Sequence, residues 1–401
     1  MRGCGPCDPS PILGFHPFIN MVKTETVKGF RDFLGDEARK RVKIKRIIED
    51  EFNSFGFEPA ETPIVEFENF VSGGNSNDEA VRDVYRLKDR AKRDLALRYE
   101  FTFQLKRIAK GQKLPYKRYQ IGYNFRDEPI KKGRLRQFIQ CDCDIVGAGP
   151  KDEAEIMAVA KNILNNLNID SVIYFNNRKL LNQILVSENI EERNREQVIR
   201  ELDKLDKLTK AEVAFNLKPL GAEKLLDKFD KGEEYFEKFK FYEEVRELKN
   251  ICKNYYGFDI EFNPTLARGL SYYNGTVFEL WSKDINVSIG GGGSYLIGDV
   301  QACGVAFGLE PIFLISDVNG DSTDYMIISI GQDKESVRLA KKLRENENSV
   351  QLMLDKTIKK AMEYANSKGV GKVVFVGDEE VKSGRFKVKD MVSGNETDLG
   401  I

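Results

Sequence analysis

Arg126, Asp127 and Glu128 are consecutive, and Arg136 is followed by Phe138, Gln140, Asp142 and Asp144 at every second position. Side chains two apart on a strand share one face, so the last four can line a single surface. An arginine offers phosphate or carboxylate a fixed bidentate fork that lysine lacks. A strand ending in Arg-Asp-Glu, a charged loop, and a returning strand with a polar face could therefore hold a triphosphate beside a small polar substrate. Between Phe101 and Gln140 there are eleven Lys/Arg against two Asp/Glu, in a chain whose formal charge is −1. That local excess calls for a polyanionic partner. A solvated basic hairpin would account for the same residues.

Other residues extend the set. Glu100 and Thr102 form a polar pair, and Arg268-Gly269-Leu270 precedes Tyr272-Tyr273 and the apolar run TVFELW. Gly290 to Gly293 lead into Ser294-Tyr295, and glycines in a strand let a backbone approach a ligand closely. The single histidine, His16, excludes His-based triads and His-rich zinc sites from the folded body. Chemistry must then run on arginine, carboxylates and backbone, with or without a hard metal. Cys4-Gly-Pro-Cys7 copies a redox spacing, but no strand precedes it and no helix follows. Six cysteines without a disulfide framework suit a reducing cytoplasm, and Cys141 and Cys143 read as apolar packing on one strand face.

The elements that must position these groups follow from periodicity. A length of 401 residues predicts two or three domains, and 41% hydrophobic content supplies real cores. No apolar run approaches membrane-spanning length. A helix is predicted over 36–55, with Ile44, Ile47, Ile48, Phe52 and Phe55 on one stripe and Gly56 as its stop. An extended run with Pro63 follows, then a strand over 95–104 presenting Glu100 and Thr102, then the hairpin over 118–147. Residues 151–167 read as an amphipathic helix. Residues 170–250 read as a densely charged, sign-balanced helical insertion. From 322, strands and helices alternate to a final hairpin, an α/β unit.

FRDE followed by GRLRQFIQCDCDIVG resembles motif 2 of the class II aminoacyl-tRNA synthetases, and the GRxRQFxQ continuation is similar to histidyl-tRNA synthetases. RGLSYYNG resembles their histidine-specific box, GGGGSY their GGGRYD segment, and GVAFGLEPIFL motif 3. Asp144 stands where bacterial members carry Glu, an archaeal and eukaryotic trait. The resemblance spans about 24–398. It implies an α/β (α+β) fold: a class II synthetase-type antiparallel sheet flanked by helices, with the helical insertion and a C-terminal α/β anticodon-binding-type domain. The domains would be a disordered extension over 1–21, a catalytic domain over 22–320, and an anticodon-binding domain over 322–401.

By resemblance the activity is ligation of L-histidine to tRNA(His) through an adenylate, with ATP and Mg2+, in a cytoplasmic homodimer whose interface is the motif 1-like segment near Pro63. Arg126 and Arg268 would be catalytic. Glu100, Thr102, Gln140, Asp144, Tyr273 and Tyr295 would bind histidine, and Arg126, Glu128, Arg136 and Glu310 would bind ATP. Some positions depart from the pattern. Pro311 occupies the place of the motif 3 arginine that sandwiches adenine, so another arginine, Arg134 or Arg136, would supply that contact or ATP binding would be weakened or absent. Ser294 and Leu296 replace Arg and Asp, Ser271 replaces Asp, and Tyr99 and Phe101 replace Pro and Gly. A non-catalytic paralogue that senses histidine or regulates a biosynthetic enzyme therefore remains the second reading, although the C-terminal unit opposes it. A synthetase for proline, threonine or glycine is the third.

Overall fold

The structure is a computed structural model that describes residues 24–73, 79–268, 272–283 and 287–399. The tail over 1–21, with Cys4, Cys7 and His16, and the Gly269-Leu270-Ser271 part of the arginine box lie outside the described residues.

The first helix is Gly35–Ser54, on which Ile44, Ile48 and Phe52 are fully buried. Gly56, at φ 73°, ends the turn as the sequence predicts. The helix packs on an eight-stranded sheet in the order Glu58–Pro59, Tyr116–Phe125, Gln137–Val146, Val300–Gly308, Val287–Ile297, Tyr273–Ser282, Ser171–Asn177, Glu261–Phe262. The six long strands pair antiparallel, and the two-residue strands at the edges add on in parallel. The hairpin strand Gln137–Val146 divides its residues between two environments. Ile139, Cys141, Cys143 and Ile145 enter the main core with Ile48, Phe52, Ile156 and Ile163, whereas Phe138, Gln140, Asp142 and Asp144 face the cleft on the other side. Each large apolar side chain buried there contributes about 1.5–3 kcal/mol.

Two stretches differ from the sequence expectation. The strand expected over 95–104 stops at Leu97, in a separate three-stranded sheet with Val65–Phe67 and Arg86–Lys88, and a helix begins at Thr102. The buried Arg98 guanidinium donates to the carbonyls of Thr62 and Tyr123, which pins the chain at the turn. Tyr99 then stacks on Phe103, with ring centroids 5.8 Å apart, a helical spacing hidden inside an alternating pattern.

The second difference lies in the insertion. Residues Ser171–Asn177 form a strand of the main sheet, so the helical part starts at Arg178. Its helices are not merely solvated: Leu181, Ile184, Val198, Leu202 and Leu217 share the main core. The charges sit on the outer faces and mask the apolar stripes between them.

The C-terminal unit follows the expected alternation. Tyr325–Ser329 pairs in parallel with Val350–Met353 and Lys372–Val376, and the hairpin of Lys387–Asp390 and Glu396–Asp398 completes five strands. A short helix, Asp378–Ser383, is an addition to that reading. The linker is tied to the first helix, since Asp321 lies 3.1 Å from Lys43 and 3.3 Å from Arg46.

Candidate active site

A cleft of about 900 Å³ opens on the polar face of the hairpin. Its wall includes Arg126 and Arg268 together with Glu100, Thr102, Glu128, Gln140, Asp144, Tyr273 and Tyr295. The two arginines come from distant segments, the end of the first hairpin strand and the turn before Tyr273–Ser282.

Arg126 is held without being used up. Its Nε donates to the Tyr99 carbonyl at 3.1 Å and its guanidinium lies 5.1 Å from the Phe138 ring centroid. The two terminal nitrogens keep their donors free of any partner among the described residues. Arg268 has the left-handed φ of 49°, a strained conformation for a non-glycine residue and one that clusters at functional sites. Its Nη1 donates to the Phe278 carbonyl at 3.3 Å and sits 3.6 Å from Glu279. Burial works against its charge, but Tyr273 and Glu279 favour it, and the net direction is upward. Space for the guanidinium comes from Gly291, where a Cβ would lie 1.9 Å from Nη1.

The polar face of the hairpin is a linked layer. Asn124 Nδ2 donates to Gln140 Oε1 at 2.9 Å, and Gln140 Nε2 donates to Asp142 Oδ2 at 3.0 Å, so the amide orientation is fixed from both ends. Tyr295 donates its hydroxyl to Asp144. Arg118, directly opposite Asp144 in the hairpin register, places Nη2 2.8 Å from Asp144 Oδ2. Burial pushes the carboxyls of Asp142 and Asp144 upward while Arg118 opposes it in both. Tyr272, Tyr273 and Tyr295 form an aromatic corner, with ring centroids 4.8 to 6.4 Å apart.

Two residues expected at the ATP end behave differently. Arg136 is not in the cleft wall: its Nη2 is 3.0 Å from Asp127, its Nε donates to the Glu128 carbonyl, and its stem lies over Gly29. Glu310 touches the cleft but is committed, accepting from buried Arg41 at 2.8 Å and from the Ile139 amide at 3.2 Å. Burial pushes the Glu310 carboxyl upward while Arg41 and the Ile139 amide oppose it, a pairing that the sequence alone does not reveal. Arg134 and Pro311 do line the cleft, and Arg134 is 3.8 Å from Glu128.

Sequence reasoning passed over Arg118 as a site residue, and it placed Asp142 on the polar face without giving it a role. The hairpin register carries the signal: once the strands pair about the loop at Gly133, Arg118 must face Asp144 and Gln120 must face Asp142. Arg200 and Lys204 of the insertion also line the cleft, and no motif announces them.

The histidyl-tRNA synthetase family pattern matches residues 29–312, and an anticodon-binding domain pattern matches 324–401. The chain belongs to the histidyl-tRNA synthetase family. It is similar to histidine–tRNA ligase 1 of Bacillus cereus, 35% identical with 95% of this chain and 98% of that one covered. It is similar also to the histidine–tRNA ligase of Methanocaldococcus jannaschii, 32% identical over 95% and 98%. Among solved structures, the histidyl-tRNA synthetase of Nostoc sp. PCC 7120 superposes with a TM-score of 0.81 at 25% identity, over 94% and 97% of the two chains. The sheet, its flanking helices and the C-terminal unit are thus those of the histidyl-tRNA synthetase family. An aminoacyl-tRNA synthetase of this class uses ATP.

Proposed function

We propose that this chain is a histidine–tRNA ligase that joins L-histidine to ATP as histidyl-adenylate, releasing pyrophosphate, and passes the histidyl group to the terminal ribose of tRNA(His). One observation carries the reading: Arg126 and Arg268 line one cleft with the polar face that holds Gln140 and Asp144. The histidine carboxylate is already a nucleophile, so attack on the α-phosphorus needs no general base. What the reaction needs is positive charge fixed where negative charge accumulates. Arg126, with its free terminal donors, would hold the α-phosphate and the carboxylate, and Arg268 would stand opposite. Glu100 and Thr102 would take the ammonium, and Gln140, Asp144, Tyr273 and Tyr295 the imidazole.

Magnesium would arrive with the triphosphate, and Glu128 on the cleft wall is the carboxylate proposed to meet it. Arg134 is proposed to face the adenine in place of the motif 3 arginine. Arg200 and Lys204, which line the cleft, are proposed to meet a tRNA end. The homodimer would form through the segment around Pro63, where Ile64, Val65 and Phe67 are exposed. Cys141, Cys143, Cys252 and Cys303 are buried free thiols, in keeping with a cytoplasmic site.

Exchange of labelled pyrophosphate into ATP, with each amino acid supplied in turn, tests the reading. Histidine alone should support exchange. Histidine binding without exchange would select the regulatory reading, and exchange with proline, threonine or glycine would select the third.

A further inference from the structure

Arg118 is the largest fully buried side chain among the described residues, with no solvent exposure at all. Burying an arginine against a carboxylate costs several kcal/mol of desolvation per ion, and a well-packed apolar pair usually serves stability as well or better. The guanidinium is not consumed by the fold. Nη2 approaches Asp144 Oδ2 to 2.8 Å, yet none of the three nitrogens makes an aligned hydrogen bond among the described residues. The contact is one of charge.

Two carboxylates explain the charge. Asp142 and Asp144 stand on the same strand face at 3% and 5% exposure, and both line the cleft. Like charges so close in a buried place push each other toward the neutral form, Asp142 the further of the two, and a cation is needed for either to stay ionised. Arg118 on the neighbouring strand faces both. The other groups around Asp144 are Tyr295 on Val287–Ile297, Tyr273 on Tyr273–Ser282, Cys303 on Val300–Gly308, Cys143 on its own strand and, across Asp142, Glu100 before the Thr102 helix. None of these supplies positive charge; the other buried arginine near the pair, Arg98, acts on Asp142, with its guanidinium donating to the Thr62 and Tyr123 carbonyls. Gly304 leaves the room: a Cβ there would lie 2.1 Å from Asp144 Oδ1.

We infer that Arg118 is a positioning residue for substrate selection, holding Asp144 as an anionic acceptor aimed at an imidazole N–H. This rests on the ligase reading for the identity of the ligand. Asp144 receives Tyr295 at Oδ1 and faces Arg118 with Oδ2, which accepts no hydrogen bond among the described residues, and the residue lines the cleft, so acceptor capacity remains for a donor there. Without Arg118, the carboxyl takes a proton and presents O–H where an acceptor is required. Raising the pH removes that proton and restores the acceptor.

Histidine-dependent pyrophosphate exchange, run from pH 7 to pH 9.5 on the full chain, tests this with R118M, R118K and D144N. R118M should raise KM for histidine about 10- to 100-fold with KM for ATP within about twofold, the range of a lost charged hydrogen bond. The defect should shrink as pH rises, R118K should recover part of it, and D144N should show a defect that pH does not repair. R118M with histidine KM within about twofold of the parent, or with a pH-independent defect shared by ATP, overturns the inference. If R118M does not fold, R118Q is read in the same way, and failure of both to fold marks the pair as structural and overturns it too. A parent that binds histidine by calorimetry without exchange removes the ligase reading instead, and the same comparison is then read from the histidine Kd.

Discussion

Arg268 and Gly291 are fitted to each other: the guanidinium occupies the volume a side chain at Gly291 would fill, with Nη1 1.9 Å from where that Cβ would stand. The Phe278 carbonyl, 2.6 Å from the same point, closes the other side. The glycine run is therefore part of the arginine's seat. G291A should displace Arg268 and cut the exchange rate by about 10²–10³-fold, the scale of losing one transition-state donor. R268A should give a similar loss with a smaller change in melting temperature, because the strand stays intact. A G291A enzyme with parental turnover would separate Arg268 from the reaction.

Gly304 bears the same relation to Asp144. G304A pushes on a carboxylate 2.1 Å from the new methyl and on the Cys143 carbonyl at 2.9 Å. The expected outcome is an increase in KM for histidine of roughly 10-fold or more, with KM for ATP little changed, since the disturbed group lies at the amino acid end. Initial-rate kinetics with each substrate varied will distinguish this from a general loss of activity.

Asp142 predicts a pH dependence of stability. Burial, the largest influence, pushes its carboxyl well above the ordinary range, and Asp144 and Glu100 push the same way against Arg118. A group whose folded pKa is raised contributes its full stability below the unfolded value, near 3.9, and loses it as pH climbs through the folded value. D142N removes that penalty while keeping an acceptor for Gln140 Nε2. The melting temperature of D142N relative to the parent should thus rise from pH 4.5 to pH 9. A flat difference across that range would show that Asp142 titrates like a solvent-exposed acid.

The hairpin face and the C-terminal alternation were legible because period-two and period-3.6 patterns are local. Phe138, Gln140, Asp142 and Asp144 share the cleft wall as the spacing requires. What stayed hidden is non-local. Arg98 turns the chain through carbonyls of Thr62 and Tyr123, and Glu310 is claimed by Arg41, 269 residues away. No window of sequence carries these pairings. Arg118 is intermediate, since its role follows from register once the hairpin is accepted.

Arg41 and Glu310 give a test that separates architecture from binding. Both side chains are 6% exposed, and their ion pair joins the first helix to the turn after Val300–Gly308. Removing one member of a buried pair leaves the other charge uncompensated and costs about 3–5 kcal/mol. R41M and E310A should each lower the denaturation midpoint strongly. Selective weakening of ATP binding in E310A, with stability intact, would restore Glu310 to the ATP site.

Arg134 and Arg136 divide the loop between cleft and scaffold, and the contrast bears on how adenine is held beside Pro311. Arg134 lines the cleft, about half exposed, 3.8 Å from Glu128, while Arg136 is turned to Asp127 and seated over Gly29. A guanidinium over a base contributes about 1 kcal/mol or somewhat more when desolvated. R134A should therefore raise KM for ATP by roughly 5- to 10-fold and leave KM for histidine near the parent's. R136A should lower stability first, since its loss unseats the loop, with any ATP effect following from that. If R136A rather than R134A shows the selective ATP defect in initial-rate kinetics, the loop must rearrange when nucleotide binds, and Arg136 becomes the residue that covers the base.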